Sequence, residues 1–218
     1  MPNVTKRTEV SAAGRREQRR QRHQLLSREQ LLDAAEEIFG RKGYHETTLK
    51  EVAELAEFSV GSVYSFFDNK DDLFRQIFLR RGEEFMPELR AVLADEHGSP
   101  LERLHRLVDF QVRWFREHPH FGRLYLRHPD RDMDPLIEAN YQEAMRLEAA
   151  LFRSGQQAGT FRAGDADALA RLFSGLMGAF QALDPAVVSD DPTARERLSV
   201  EELHDLVEAT FAAGGRGA

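Results

Sequence analysis

The chain has 218 residues, a formal net charge of −7 and no cysteine, which excludes disulfide bridges, thiolate zinc sites and a cysteine nucleophile. Its length fits one long domain or two short ones. The apolar runs reach only about four residues, far below the ~18 that a transmembrane helix needs, and the polar N-terminus does not look like a signal peptide. The sequence therefore predicts a cytoplasmic protein.

Charge is unevenly distributed along the chain. Residues 1–28 contain eight Lys or Arg and two Glu, a net charge of +6, whereas residues 76–218 carry the whole −7. A basic terminal arm is common in nucleic-acid-binding proteins because it neutralises phosphates, and a solvated tail without a partner is the alternative interpretation. We predict a basic flexible arm over residues 1–24.

Helical periodicity runs through the chain. Apolar residues recur at i, i+3, i+4 and i+7, and no strand-like alternation stands out, so an all-α fold is predicted. Four predicted helical segments open with a Ser or Thr that precedes Glu or Gln by three positions, which is the capping-box pattern of helix starts. These residues are Ser27, Thr48, Ser99 and Ser199.

The predicted helices follow these signals in chain order. A compact N-terminal unit contains helices from about Ser27 to Lys42, Thr48 to Ala56 and Ser59 to Phe67, and a fourth that begins after Asn69. Longer helices are predicted over residues 100–117, 119–127, 135–154, 165–183 and 199–213. Loops are predicted at 94–99, 128–134 and 184–198.

Residues 48–67 have the pattern of a helix-turn-helix. The run T-L-K-E-V-A-E-L-A is followed by E-F-S and then by V-G-S-V-Y-S-F-F, so a short helix and a tight turn precede a helix with small polar residues. Small side chains would let this second helix enter a major groove about 12 Å wide. The predicted contact face consists of Ser59, Val60, Gly61, Ser62 and Ser65, with Tyr64 and Lys70 reaching phosphates.

The segment from Leu31 to Phe78 resembles the N-terminal DNA-binding domain of TetR/AcrR-family bacterial transcriptional regulators. The matching motifs are A-A-x-x-I-F-x-x-x-G-Y, T-T-L-K-E-V-A and V-Y-S-F-F-D-N-K-D-D-L-F. The resemblance covers residues 25–85 and implies a three-helix DNA-binding head, followed over residues 86–218 by a helical effector-binding and dimerisation domain. By position, it also implies that Thr48 contacts a phosphate, that Val60 to Ser65 belong to the recognition helix, and that Tyr64 and Lys70 clamp the DNA backbone.

Glu57 departs from the family pattern, which usually has Gly in this turn. If the turn needs a left-handed backbone, Glu costs about 1 kcal/mol or more, so either the turn is remodelled or the strain is tolerated. The recognition helix also lacks Arg, Asn and Gln. Its readout is therefore predicted to use Val60 against thymine methyl groups, short hydroxyl contacts, DNA shape and arm arginines in the minor groove.

Aromatic and Met residues are concentrated between positions 101 and 180. A helical stripe of this kind is usually core, but the resemblance implies that some of its members line an apolar effector pocket. The candidate ligand-binding residues are Phe110, Trp114, Phe121, Tyr125, Tyr141, Met145, Phe173 and Met177. Nearby candidates for recognising an acidic ligand, each with a solvated surface position as the alternative, are His105, Arg113, His118, His120, Arg123 and His128.

The last two long helices carry features that the family uses for dimerisation. Gly175, Gly178 and Ala179 would allow close approach of another helix, and the final helix has an apolar stripe consisting of Leu203, Leu206, Val207 and Phe211. The resemblance implies a four-helix bundle between two subunits. Burial within the monomer is the alternative.

A different class of protein is suggested by two Glu-x-x-His motifs, Glu102 to His105 and Glu201 to His204, because paired motifs of this kind occur in di-iron bundles. Helical geometry weighs against this reading, since Glu201 lies about 160° from the apolar stripe. No catalytic residue, metal site or cofactor is predicted. The sequence predicts a homodimeric, ligand-responsive DNA-binding repressor released from a palindromic operator by a small apolar or amphipathic effector. The alternatives are a di-iron carboxylate protein and a small-molecule-binding module without DNA binding.

Overall fold

The computed structural model describes residues 12–127, 134–191 and 193–214. These ranges contain ten helices and one isolated bridge between Phe161 and Ala212, so the predicted all-α fold is confirmed. The helices are α1 (Ala12–Lys42), α2 (Leu49–Leu55), α3 (Val60–Phe66), α4 (Lys70–Ala94), α5 (Pro100–Glu117), α6 (Pro119–Arg127), α7 (Pro135–Gln157), α8 (Ala166–Leu183), α9 (Pro185–Val188) and α10 (Val200–Phe211).

Helix α1 begins at Ala12, so the predicted start at Ser27 was wrong. Residues 12–24 of the predicted flexible arm are helical, and residues 1–11 lie outside the described ranges. Ser27 is buried within the helix. The preceding residues are rich in Arg, Gln and Glu, which favour helix, and Gln21 donates a hydrogen bond to Glu17 one turn earlier. Ser27 does not begin a helix because the residues before it are themselves helical.

The other three capping boxes mark helix starts as predicted. Thr48, Ser99 and Ser199 are N-caps whose side chains accept a hydrogen bond from the third helical residue, and the side chain of that residue accepts a bond from the cap. Helix α10 ends at Phe211, two residues before the predicted end. Helix α7 continues to Gln157, and the short helix α9 lies within the predicted loop 184–198, where Asp184 caps it ahead of Pro185. Residues 128–133 of another predicted loop lie outside the described ranges.

Helix α4 joins the N-terminal unit to the rest of the chain without a break, crossing the predicted boundary at residues 85 and 86. A run of aromatic contacts follows it out of the N-terminal core. The Phe74 ring packs edge-on against Phe39 at 5.4 Å between centroids, Phe78 lies 5.1 Å from Phe74, and Phe121 lies 5.2 Å from Phe78. The two parts of the chain therefore share one hydrophobic core.

Helix α6 packs tightly against α1 at Gly40. A Cβ atom on Gly40 would lie 2.5 Å from the backbone oxygen of His120, closer than nonbonded atoms approach. Only glycine allows the two backbones to come this near. The N-terminal helices are thus held against the C-terminal helices at two places, through α4 and through this contact.

Candidate nucleic-acid interface and ligand cavity

Helix α3 presents a small, polar face to solvent. Val63 and Phe67 are buried and anchor the helix on the core, while Val60 and Tyr64 lie on the outside. The Tyr64 side chain is 58% exposed, which is unusual for an aromatic residue without a partner surface. The remaining predicted contact residues on this face, Ser59, Gly61 and Ser65, are exposed, and Ser62 is half-buried.

The serine hydroxyls of α3 are pre-positioned by local hydrogen bonds. The Ser59 hydroxyl caps the helix by accepting from the Ser62 amide at 3.1 Å and lies 2.8 Å from the Ser62 hydroxyl, and Ser65 donates to the Ser62 carbonyl at 2.6 Å. A hydroxyl oxygen has two lone pairs and keeps acceptor capacity after such bonds. A Cβ atom on Gly61 would approach nothing closer than the Ser59 hydroxyl at 3.8 Å, so this part of the face is open.

Glu57 adopts the left-handed backbone, with φ of 59°. The Phe58 amide donates to the Ala53 carbonyl at 2.8 Å, which closes the end of α2 in the manner of a Schellman turn. The sequence left two outcomes open at this position, a remodelled turn or a left-handed turn with tolerated strain. The structure shows the left-handed turn. The angle between α2 and α3 is therefore set by a turn that glycine would adopt more easily.

Lys70 is tied to the loop between α1 and α2. Its ammonium group donates to the backbone oxygens of Tyr44 at 2.8 Å and Thr47 at 3.0 Å, and lies 4.3 Å from the centroid of the Tyr44 ring. An ammonium group has three donors, so one remains for a phosphate. Lys70 thus fixes the start of α4 against the N-terminal unit in the absence of DNA.

Thr48 is exposed, and its polar groups serve the capping box of α2. Its amide and hydroxyl donate to Glu51 at 2.9 and 3.0 Å. Hydrogen bonds from the Lys42 ammonium and from Thr48 lower the pKa of Glu51 to about 2. The Glu51 carboxylate therefore stays ionised and holds Thr48 at the N-terminus of α2.

The N-terminal part of α1 forms a basic extension, residues 12–26, that leaves the core beside α3. The Arg28 guanidinium lies 5.6 Å from the centroid of the Phe67 ring, which caps α3, and donates to Gln76. The fifteen helical residues of the extension span about 22 Å. Its side chains from position 15 to 26 are exposed, and they include Arg16, Arg19, Arg20 and Arg22 against the single acid Glu17.

A cavity of about 570 Å³ lies among helices α4, α5, α6, α7 and α8. Six of the eight predicted ligand-binding residues line it: Trp114, Phe121, Tyr125, Tyr141, Met145 and Met177. The other two are in the core instead. Phe110 packs on the Phe85 ring at 5.2 Å, and Phe173 lies between the rings of Phe152 and Phe211, because their helix faces point away from the cavity.

Sequence reasoning missed the polar part of the cavity wall. Glu148 on α7 is 3% exposed and accepts a hydrogen bond of 3.0 Å from the Gln111 amide on α5. Its second oxygen, Oε2, is buried without a hydrogen-bond partner among the described residues. Burial raises the pKa of Glu148 to about 8, and the bond from Gln111 opposes this only in part. A sequence signal existed, since both residues fall on the apolar stripes of their helices.

Apart from Glu148, the charged side chains described in the cavity wall are Asp71, Arg75, Arg81 and Asp134, and both arginines are paired with carboxylates. Arg75 on α4 bonds to Asp134, the N-cap of α7. Arg81 bonds to Glu36 at 2.9 and 3.0 Å and also to Glu84. Tyr44, from the N-terminal unit, also lines the cavity. The cavity wall thus includes a residue of the loop to which Lys70 is bonded.

Comparison with known proteins identifies the N-terminal part of the chain. Residues 31–77 match the profile of the tetR family of bacterial regulatory proteins. This segment therefore has the sequence of a TetR-family domain. The Bacillus subtilis HTH-type transcriptional regulator YhgD is 38% identical over 88 residues, which are 40% of this chain and 44% of that protein. A probable acrEF/envCD operon repressor of Escherichia coli is 31% identical over 78 residues, 36% of this chain and 33% of the repressor.

The curated relatives are thus matched over less than half of their length, whereas solved structures of the TetR fold superpose over most of this chain. The fatty acid degradation regulator FadR from Bacillus halodurans has a TM-score of 0.65 at 19% identity, covering 87% of this chain and 99% of FadR. AibR in complex with isovaleryl coenzyme A and operator DNA has a TM-score of 0.69 at 18% identity, covering 86% and 98%. At these identities the likeness shows the fold. The related proteins are transcriptional regulators and not enzymes, in agreement with the prediction that this chain is not an enzyme.

The described basic residues that were considered for an acidic ligand do not line the cavity. Arg113 is exposed and pairs with Glu88 and Glu117, whereas Arg123 is buried and donates to the Val187 carbonyl and to Asp190. His118 stacks on Trp114 and bonds to its carbonyl. The other positions are His105 and His120, which lie elsewhere, and His128, which is outside the described ranges.

The two Glu-x-x-His motifs meet through their histidines only. The His105 and His204 rings stack at 4.4 Å, and His204 bonds to Asp109 at 2.8 Å. Glu102 is occupied in the capping box with Ser99, and Glu201 is exposed. Within residues 12–127, 134–191 and 193–214, no three His, Asp or Glu side chains are grouped as a metal site requires, and nothing there supports the di-iron alternative.

An exposed apolar stripe runs along α8. Leu172 is 52% exposed and Leu183 is 42% exposed, and Gly175 lies between them with no described atom within 4 Å of a would-be Cβ. Gly178, the other glycine considered for close helix approach, lines the ligand cavity instead. On α10, Leu206 is exposed, whereas Leu203, Val207 and Phe211 are buried in the monomer.

In the described part of the chain, no helix is long and apolar enough to cross a membrane.

Proposed function

We propose that this protein is a DNA-binding transcriptional regulator, a repressor that a small apolar or amphipathic effector releases from a palindromic operator. The observation that carries the proposal is the exposed face of α3, held by a helix-turn-helix whose sequence matches the tetR family. A helix of seven residues with Ser, Gly and Tyr outward suits close approach to a major groove. Such a protein acts in the cytosol, where bacterial DNA is found.

Charge for DNA binding would come from the basic extension of α1 rather than from α3. Helix α3 has no cationic side chain, and the nearby Glu54 and Glu57 are acidic. The extension starts beside Phe67 and carries exposed arginines, so it is placed to contact phosphates or to enter a minor groove next to the recognition helix. Base readout by α3 would then depend on Val60, hydroxyl contacts and DNA shape.

Two subunits are needed to read a palindrome. The exposed stripe of α8, with Leu172 at one end and the open Gly175 in its middle, supports a homodimer in which α8 and α10 form a four-helix bundle. The heads would then lie over half-sites about 34 Å apart. Replacing Leu172 by Glu is expected to give monomers in sedimentation experiments, while Leu136→Glu, at an exposed leucine of α7, is expected to leave the dimer intact.

Effector control would act through α4. This helix begins at Lys70, which is bonded to the N-terminal unit, and its middle residues Phe74, Phe78 and Phe85 line the cavity. A ligand that prefers a different position of α4 would change the spacing of the two heads and so favour the DNA-free state. The structurally similar AibR has been solved in complex with both isovaleryl coenzyme A and operator DNA. This supports the proposal that such a fold can bind a small molecule and DNA.

The test begins with selection of genomic DNA fragments by the purified protein at low salt, followed by binding titrations on the enriched duplex. The double variant Arg19→Gln/Arg20→Gln is expected to reduce the slope of log K against log salt by about 1.8 if both arginines contact phosphates. Arg113→Gln/Arg146→Gln removes two exposed arginines from α5 and α7 and is expected to leave the slope unchanged. Absence of any enriched fragment would support the alternative of a small-molecule-binding module without DNA binding.

A further inference from the structure

We infer that the cavity binds an organic amine, with its ammonium group paired to Glu148 and its apolar body against the aromatic wall. This inference names the ligand class of the effector cavity and rests on the proposed function in that respect. The inference is based on the buried carboxyl group of Glu148, of which only one oxygen has a hydrogen-bond partner among the described residues. Gln111 bonds to Oε1 at 3.0 Å, and Oε2 has no partner in the described part of the chain.

A buried carboxylate oxygen without a hydrogen bond is unfavourable, so the ionised form of Glu148 requires a hydrogen-bond donor at Oε2. All residues of α5, α6 and α8 are described, and those that share the cavity wall with Glu148 include no cation. Those helices contribute aromatic residues, Met177 and the neutral polar residues Gln111, Ser174 and Gln181. A donor for Oε2 would therefore come from a molecule in the cavity.

The sign of the ligand charge follows from the distribution of charged groups around the cavity. On α4 the charged lining residues are Asp71, Arg75 and Arg81, and at the N-terminus of α7 there is Asp134. Both arginines already bond to carboxylates, Arg75 to Asp134 and Arg81 to Glu36. A carboxylate ligand would have to displace one of these pairs and would meet Glu148 inside, whereas an ammonium ligand meets an acidic group without a cationic partner among the described residues.

The aromatic wall favours the same ligand class. Trp114, Phe85, Phe121 and Tyr141 line the cavity, and aromatic faces attract cations through their quadrupole while offering apolar contact to a hydrocarbon body. An acidic ligand gains nothing from this electrostatic contribution. The volume of about 570 Å³ is within the range of cavities that hold drug-sized molecules.

Binding of an ammonium group would release a proton. Burial raises the pKa of Glu148 to about 8, so at pH 7 the carboxyl group of the ligand-free protein is mainly neutral. An alkylammonium ion is already protonated at this pH. Its pairing with Glu148 requires the carboxylate, so the carboxyl proton passes to the buffer while the ammonium keeps all three of its own.

The experiment compares three ten-carbon probes that differ only in their head group: decylamine, 1-decanol and decanoic acid. Trp114 is the single tryptophan of the chain and lines the cavity, so its fluorescence reports binding directly, and DNA is not needed. Decylamine is expected to bind at least tenfold more tightly than decanoic acid at pH 7. Calorimetry in buffers of different ionisation enthalpy is expected to show release of nearly one proton per decylamine and none per decanol.

The matched variants are Glu148→Gln and Glu143→Gln, both on α7. Glu148→Gln keeps the shape of the side chain and is expected to weaken decylamine at least tenfold, to leave decanol nearly unchanged and to abolish proton release. Glu143 is outside the cavity and pairs with Arg90, so Glu143→Gln is expected to bind all three probes like the wild type. The proton measurement on the unmodified protein tests the inference even if Glu148→Gln does not fold.

Tighter binding of decanoic acid than of decylamine, or decylamine binding without proton release, would overturn the inference. DNA binding is measured separately on the duplex enriched from the genome, so the two proposals fail independently. A protein that binds decylamine through Glu148 but enriches no DNA fragment would refute the regulator and leave the amine site standing. A protein that binds DNA but prefers decanoic acid would refute the amine site and leave the proposed regulator standing.

Discussion

The ammonium group of Lys70 bonds to the backbone carbonyl of Tyr44 at 2.8 Å and covers the ring of the same residue. One residue at the start of α4 thus holds the loop between α1 and α2, and the ring it covers lines the ligand cavity. The contact joins the predicted DNA-binding surface to the predicted effector site.

Replacement of Lys70 by Met is expected to lower the free energy of unfolding by about 2 kcal/mol, because two hydrogen bonds from a charged group are lost while the aliphatic stem is kept. Urea titration of the full chain measures the change. Lys50 is exposed on α2 and pairs with Glu54 at the surface, so Lys50→Met is expected to stay within about 0.5 kcal/mol of the wild type. Equal effects of the two substitutions would show that the Tyr44 and Thr47 bonds do not contribute.

Replacement of Glu57 by Gly is expected to raise the free energy of unfolding by about 1 kcal/mol. The residue has φ of 59°, a conformation that glycine adopts without the steric cost paid by other residues. Glu57→Gln removes the charge but keeps the strained backbone, so it is expected to leave stability nearly unchanged. If the charge of Glu57 weakens DNA binding, both variants are expected to bind DNA more tightly than the wild type. A Gly variant no more stable than the Gln variant would contradict the strain.

Replacement of Gly40 by Ala is expected to destabilise the protein by about 1–3 kcal/mol through overpacking. The new Cβ would lie 2.5 Å from the backbone oxygen of His120, so α1 and α6 must move apart. Gly61→Ala introduces the same methyl group into the helix α3, where the nearest atom is 3.8 Å away, and is expected to raise stability slightly because Ala favours helix. Thermal unfolding measures the stability of both variants. A Gly40→Ala protein as stable as the wild type would show that α1 and α6 are not tightly packed at Gly40.

Glu148 is expected to make the protein less stable as the pH rises. Its pKa is about 8 when folded, against an ordinary value of 4.5, so between these values the folded state binds more protons than the unfolded state. The free energy of unfolding then decreases by up to about 1.4 kcal/mol per pH unit from this group, over the range from pH 4.5 to 8.

Denaturant titrations of wild type and Glu148→Gln at pH 5.5 and pH 8 measure this contribution. The difference in unfolding free energy between the two proteins is expected to change by as much as about 3 kcal/mol, in favour of the Gln variant at pH 8. Glu143→Gln controls for the loss of a carboxyl group, because hydrogen bonds from Arg90 lower the pKa of Glu143 below its ordinary value of 4.5. Glu143 therefore adds no pH dependence of stability between pH 5.5 and 8. Parallel curves for the wild type and Glu148→Gln would contradict a raised pKa.

Local signals were sufficient to predict most of the fold. Thr48, Ser99 and Ser199 mark helix starts because their capping boxes involve neighbours three residues away. Ser27 has the same pattern but lies inside α1, since residues before it also favour helix. A local signal identifies a start only where the preceding chain does not continue the helix.

The polar part of the cavity was beyond local reasoning. Glu148 and Gln111 are 37 positions apart, and their bond depends on how α5 and α7 are packed. Sequence alone shows a carboxylate on an apolar stripe, and it does not show whether that face meets a cation, water or an empty space. The left-handed turn at Glu57 is a similar case, because the family pattern named the position but both outcomes were open.

The aromatic run along α4 has a consequence for how the ligand preference of such a protein can diversify. Phe74 and Phe78 belong to the cavity wall and also to the packing that seats the N-terminal helices. A substitution at either position alters both the cavity wall and the packing of the N-terminal helices, so few substitutions there would preserve both. Glu148, Ser174 and Gln181 line the cavity from α7 and α8, outside that aromatic run. New ligand specificities are therefore most accessible by substitution on the α7 and α8 side, where a mutation can be selected for what it binds without disturbing the DNA-binding head.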